Sequence, residues 1–155
     1  MQKQVPCWKE WHDALFDSFL GNIEAIRFIY SVMYVVEVWD DLIDKDKEVP
    51  GDFIDTSHRM MLYDLPRNKF YIQYIDQLNP LIMNAILAWH DANAMEKTGD
   101  FHDKELAYGL RNQILNLINY CAYLIGGMDH AIAVGPRLRR ICTETLDEYV
   151  HDKGD

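Results

Sequence analysis

Proline and glycine are scarce in this chain, at five and eight of 155 residues. They do not cluster, so no extended linker, repeat or low-complexity tract divides the sequence. Cysteine is scarcer still. Cys7, Cys121 and Cys142 make an odd count with no CxxC spacing, which indicates neither a disulfide framework nor a zinc knuckle. Cys121 and Cys142 sit among apolar residues and read as small core side chains. No uncharged apolar window reaches the ~18 residues of a membrane span. Met1 to Pro6 is not followed by an apolar signal core, so the expected location is the cytoplasm. Positive charge is short too: 15 Lys and Arg against 25 Asp and Glu, a net charge of −10 with a pI near 4.9. That balance argues against nucleic-acid phosphate and an anionic membrane surface as partners. GxSxG, P-loop, GxGxxG and HExxH are all absent, and covalent catalysis by Ser or Cys has no support. No stretch alternates as a strand would.

What is present is apolar and helical. Hydrophobic residues are 49% and aromatics 12% of the chain, enough to bury a core in one domain spanning residues 1–155. Apolar residues at 3- and 4-residue spacing predict a helix from Pro6 to Leu20 (Trp8, Trp11, Leu15, Phe16, Phe19). A second helix is expected over 23–46, capped by Asn22 and stopped by Pro50-Gly51. A third, over 52–64, has Asp55 or Thr56 as its cap, and Pro66-Arg67-Asn68 turns the chain. A piece over 70–78 reads as helix. Asn79-Pro80 then looks like a fresh helix start, running to Lys97 and ended by Thr98-Gly99. It is apolar almost all round, which predicts a central helix with Asn84 and Asp91 entering the interior. The next helix begins at Asp100 or Asp103 and stops at Gly126-Gly127. Residues 128–134 read as a short turn of helix, and Pro136 is expected to open a last helix over 137–151. The reading is an all-α, compact helical bundle of about six or seven helices.

One stretch stands out chemically. On a helix of ~100° per residue, Glu37, Asp40, Asp41 and Asp44 fall within about a quadrant. Val32, Val35, Val36, Trp39, Leu42 and Ile43 take the other side. Like charges so crowded repel unless a cation or a basic partner sits among them. The expectation is a magnesium site built from Glu37, Asp40, Asp41 and Asp44, with Asp91 in support. Mg²⁺ takes oxygen ligands and commonly bridges carboxylates to phosphate. Arg137, Arg139 and Arg140, the only dense basic cluster, would neutralise that phosphate. The other expectation is a solvated acidic helix end, or an acidic face that docks a basic protein.

Asp40-Asp41-Leu42-Ile43-Asp44 resembles the first aspartate-rich motif of isoprenoid diphosphate and terpene synthases. That resemblance implies an all-α enzyme in which Mg²⁺ holds a diphosphate leaving group. Glu144, Asp147 and Glu148 are the nearest later acidic group to the second motif of those enzymes. Glu37-Val38-Trp39-Asp40 and Asp41-Leu42-Ile43-Asp44 are also similar to the acidic pairs of all-α NTP pyrophosphohydrolases of the MazG and dimeric dUTPase type. There the implied chemistry is Mg²⁺-activated water attacking a nucleoside triphosphate.

Two further patterns carry metal chemistry in other settings. Glu148/His151 and Asp55/His58 have the i, i+3 spacing of a di-iron bundle. His-Asp dipeptides occur at 12–13, 90–91, 102–103 and 151–152; His90, among Met83, Ile86 and Leu87, reads as a core histidine. Finally, Asn112, Asn116 and Asn119 share one face near Tyr108, Tyr120 and Tyr123. Uncharged polar groups in a row predict a seam between helices, or between the subunits of a homodimer.

Overall fold

The computed structural model describes residues 8–45, 47–142 and 145–152. It is all-α, with no strand among the described residues. In chain order the helices are α1 (Trp8–Ser18), α2 (Ile23–Asp44), α3 (Gly51–Arg59), α4 (Lys69–Glu96), α5 (Phe101–Arg111), α6 (Ile114–Cys142) and α7 (Leu146–Asp152). A π-helical segment (Met60–Asp64) and a 3-10 turn (Leu65–Arg67) join α3 to α4. No helix among the described residues is long and apolar enough to cross a membrane. Cys7, Asp46 and Glu144 lie outside the described residues. The contacts sort into two compact units. One is Gly21–Ile75; the other joins the residues up to Leu20 with those from Asp76 onward.

The Gly21–Ile75 unit is built on α2. Asn22 caps it as predicted, accepting from the Ala25 N–H at 3.0 Å. Lys45 ends it in the left-handed region, at φ 58°. Ala25, Ile26, Phe28, Ile29 and Val32 are buried along one face. Phe28 stacks on Tyr71, with ring centroids 5.3 Å apart, and tilts against Phe70 at 6.1 Å. Asn68 fixes this packing. Its Oδ1 accepts from the Tyr71 N–H at 2.8 Å, capping α4, and its Nδ2 donates to the Glu24 carbonyl at 2.8 Å. The cap predicted for α3 is not used: Pro50 takes the cap position, with no side-chain bond.

The other unit rests on α1 and α6. Leu15 of α1, Phe19 just past its end, and Leu117, Ile118 and Cys121 of α6 are fully buried. Burial pushes the Cys121 thiol well above its ordinary range, so it stays a protonated core side chain. The His130 ring donates through Nε2 to the Ser18 carbonyl at 2.7 Å, joining α6 to the end of α1. α6 is a hairpin rather than a rod. Arg139 donates to Asn116 Oδ1 at 2.7 Å, whereas 23 residues of straight helix would separate them by about 35 Å. The reversal is at Gly127 (φ 82°, ψ −177°), at the glycine pair where a stop was predicted. The asparagine seam lies partly between the arms: Asn119 packs where a Cβ on Gly135 would be, 3.1 Å from its Oδ1.

Nothing lies within 4 Å of a Cβ placed on Gly127, so a substitution there tests the backbone alone. Gly127→Ala is expected to cost about 2 kcal/mol, because that φ/ψ region is nearly closed to a residue with a Cβ. Calorimetry should show a lower Tm with an unchanged fold. An alanine variant as stable as the parent would mean that the reversal is not held in this conformation.

Three expected boundaries move. Asn79-Pro80 does not start a helix, because α4 runs through it; the departure from helical geometry is at Tyr74 (φ −118°, ψ 21°). Proline lacks an N–H and crowds the carbonyl four residues back, and the bend upstream accommodates it. The helix expected from Asp100 to Ile125 is interrupted at Asn112, whose Nδ2 donates to the Tyr108 carbonyl at 2.9 Å. Gly135-Pro136 causes no break, and the second arm runs on to Cys142.

A smaller core joins α4, α5 and α7. Ala92, Ala107 and Tyr149 are buried together. Arg111 reaches Glu96 Oε2 at 2.8 Å and Asn93 Oδ1 at 2.6 Å. The Tyr149 hydroxyl donates to Glu96 Oε1. Burial, followed by the Glu96 carboxylate, raises the Tyr149 pKa. α7 is short and owes its first turn to a capping box. The Thr145 N–H donates to Glu148 Oε2 at 2.8 Å, and the Glu148 N–H donates to Thr145 Oγ1 at 3.3 Å. The Thr145 backbone bond holds the Glu148 carboxyl below its ordinary value.

Candidate functional site

The last three turns of α2 hold the residues of greatest chemical interest. The valine-rich run 32–38 packs one side of the helix, which places the carboxylates on the other. Glu37 and Asp44 are exposed, while Asp40 and Asp41 are half-buried. The Asp41 side chain keeps 17% of its surface and meets Lys47 Nζ at 2.8 Å. Lys47 lies just past the helix end, so the chain supplies its own cation to Asp41. Among the described residues, no three His, Cys, Asp or Glu side chains are placed to share one metal ion.

Asp91 lies on α4, in the other unit. It is exposed, and so are Asn84, Met83 and Leu87 of the same helix. The expectation that this helix is central, with Asn84 and Asp91 turned inward, is therefore corrected. Only Phe70, Leu78, Ala88 and Ala92 are buried along it. The apolar residues outnumber what one packing face can cover, so the surplus faces outward.

The arginine cluster does not converge. Arg137 pairs with Asp17 of α1 at 2.9 Å, Arg139 donates to Asn116, and Arg140 is exposed. At 100° per residue the three leave the helix in different directions, and two are engaged by neighbours within their own unit. The His-containing pairs are also dispersed. His12, His90, His102 and His151 are exposed, which corrects the reading of His90 as a core histidine; its ring meets the Trp89 indole edge-on at 4.9 Å. His151 donates through Nδ1 to the Asp147 carbonyl, and His58 likewise to that of Ile54, both at 2.8 Å. Glu148 serves as a cap.

A feature invisible to motif reading lies on the apolar side of α2. Val35, Val38, Trp39 and Leu42 face Ser57 and Met61 across a cleft of about 300 Å³. Ser57 is 4% exposed and brings a hydroxyl to the lining. The rim is open: Leu42 is 41% and Met61 40% exposed. The signal that could have found it is the surplus of apolar residues over 53–63, which exceeds the needs of one helix face. The pairing of α2 with α3 could not be read from spacing.

Compared with known proteins, the chain matches no family model, no curated protein and no solved structure.

Proposed function

We propose that this protein is a non-enzymatic helical interaction protein whose acidic α2 face docks a basic partner. The carrying observation is that the end of α2 exposes Glu37 and Asp44 together with Leu42 and Ile43. A merely solvated helix end has no call for exposed branched aliphatics, whereas apolar residues beside charge are the composition of a contact surface. The net charge of −10 favours a cationic partner and fast, salt-sensitive association.

Melting with and without millimolar Mg²⁺ and inorganic diphosphate separates this reading from a magnesium–diphosphate site on Glu37, Asp40, Asp41, Asp44 and Asp91. The expected Tm is the same in all conditions. Asp41→Ala should shift stability by less than about 1 kcal/mol, because its partner Lys47 is largely in water. A rise in Tm with Mg²⁺ that Asp40→Asn abolishes would reverse the assignment.

A further inference from the structure

The surplus apolar side chains of α4 are not scattered over its outer surface. Pro80, Met83, Leu87, His90 and Ala94 are exposed and alternate three and four residues apart, the spacing of a seam that packs helix on helix. At ~100° per residue they span about 80°. Leu78, Ala88 and Ala92, which bury the helix in its own unit, lie on roughly the far side. Met83 keeps 56% and Leu87 58% of its surface, and apolar surface of that size gains stability when a second packing partner takes it from water.

Charge selects the occupant. The protein carries a net charge of −10, which sets most of its surface against another copy of itself. Residues 77–90, however, contain no Asp, Glu, Lys or Arg. A basic partner finds no carboxylate there, and an acidic partner finds no cation. A second copy meets a surface on which no like charges oppose each other. The flank of the seam agrees. Asn84 and Asp91 are both exposed and stand about two turns apart on one edge of it. In an antiparallel pair with its two-fold axis near Leu87, that edge meets itself running the opposite way. Each Asn84 amide then donates to the Asp91 carboxylate of the second copy. A parallel pair sets the same edge against Ile86, which offers Asp91 no donor.

We infer that α4 pairs antiparallel with α4 of a second copy through this seam. The helix that is apolar almost all round is then central to a dimer rather than to the single chain. The seam is about 21 Å long, at the lower end of specific interfaces, so the expected dissociation constant is about 10 µM. The inference does not rest on the docking face of α2, and each stands or falls alone.

Sedimentation equilibrium of the full chain, from about 1 µM to about 1 mM, tests it. The parent should pass from monomer to dimer across that range. Leu87→Glu and Met83→Glu, both at exposed positions, should keep the helical circular dichroism of the parent and weaken the dimer about thirtyfold or more. Asn84→Asp, which sets carboxylates side by side, should weaken it about tenfold. Adding Asp91→Asn restores the amide–carboxylate pair and should recover the parent's affinity. A chain that stays monomeric throughout overturns the inference. So does a dimer indifferent to Leu87→Glu and Met83→Glu, which would place the interface on another surface. A dimer dissolved by those two variants but not rescued by Asp91→Asn overturns the antiparallel arrangement.

Discussion

Phe28→Ala is expected to destabilise the protein by about 4 kcal/mol, since truncating a fully buried phenylalanine leaves a cavity that its surroundings close only in part. Phe28 has no exposed surface, and its ring is the meeting point of Tyr71 and Phe70. Stacked and tilted aromatic pairs add to the area term. Against a typical stability of about 5–15 kcal/mol the loss is large, and at roughly 2–4 °C per kcal/mol the Tm should drop by about 12 °C. Urea denaturation should show a lower midpoint. Trp39, the one tryptophan in the Gly21–Ile75 unit, gives a local readout. A cost under about 1 kcal/mol would mean that the core of this unit sits elsewhere.

The second large effect concerns the pair that fastens α5 and α7 to α4. Arg111→Ala is expected to cost about 3 kcal/mol, because it strands a carboxylate already taken out of water. The Arg111 and Glu96 side chains retain only 19% and 11% of their surface, so solvent cannot take over the role of the guanidinium. Removing charge from both sides, with Glu96→Gln and Arg111→Met together, should cost less than Arg111→Ala alone. Equal or greater cost in the double variant would contradict the electrostatic account. Tyr149 adds a pH signature. A tyrosine whose folded-state pKa lies above its ordinary 10.0 contributes in full below pH 10 and loses that contribution as the pH climbs. Alkaline melts should therefore steepen above pH 10 in the parent and less in Tyr149→Phe.

Much of this was legible from residues alone. The Asn22 cap, the Asp100 cap (Asp103 N–H to its Oδ1 at 3.2 Å), the Thr98-Gly99 stop and the Gly126-Gly127 reversal follow from local chemistry that acts within one turn. Where local rules compete, the sequence misled. Asn79-Pro80 carries a strong start signal, yet α4 passes through it, because the bend at Tyr74, upstream of the proline, lets it sit inside a helix. Asn112 gave no stop signal, since asparagine tolerates both a helix and its end. The four acidic residues on α2 were visible from their spacing. Their fate was not, because whether a carboxylate meets an ion, a lysine or water depends on chain that is distant in three dimensions.

The sequence by itself determined that this protein is helical and acidic, and where most of its helices begin and end, because caps, turn residues and apolar periodicity act over a few positions. Tertiary structure decided which residues meet. It turned Asp91 to solvent, engaged Arg137 and Arg139 with Asp17 and Asn116, and opened an apolar cleft behind the acidic stripe. Helix periodicity gives each side chain a direction but no partner. Partners are chosen when whole helices pack, and that choice is a property of the pair rather than of either stretch of sequence.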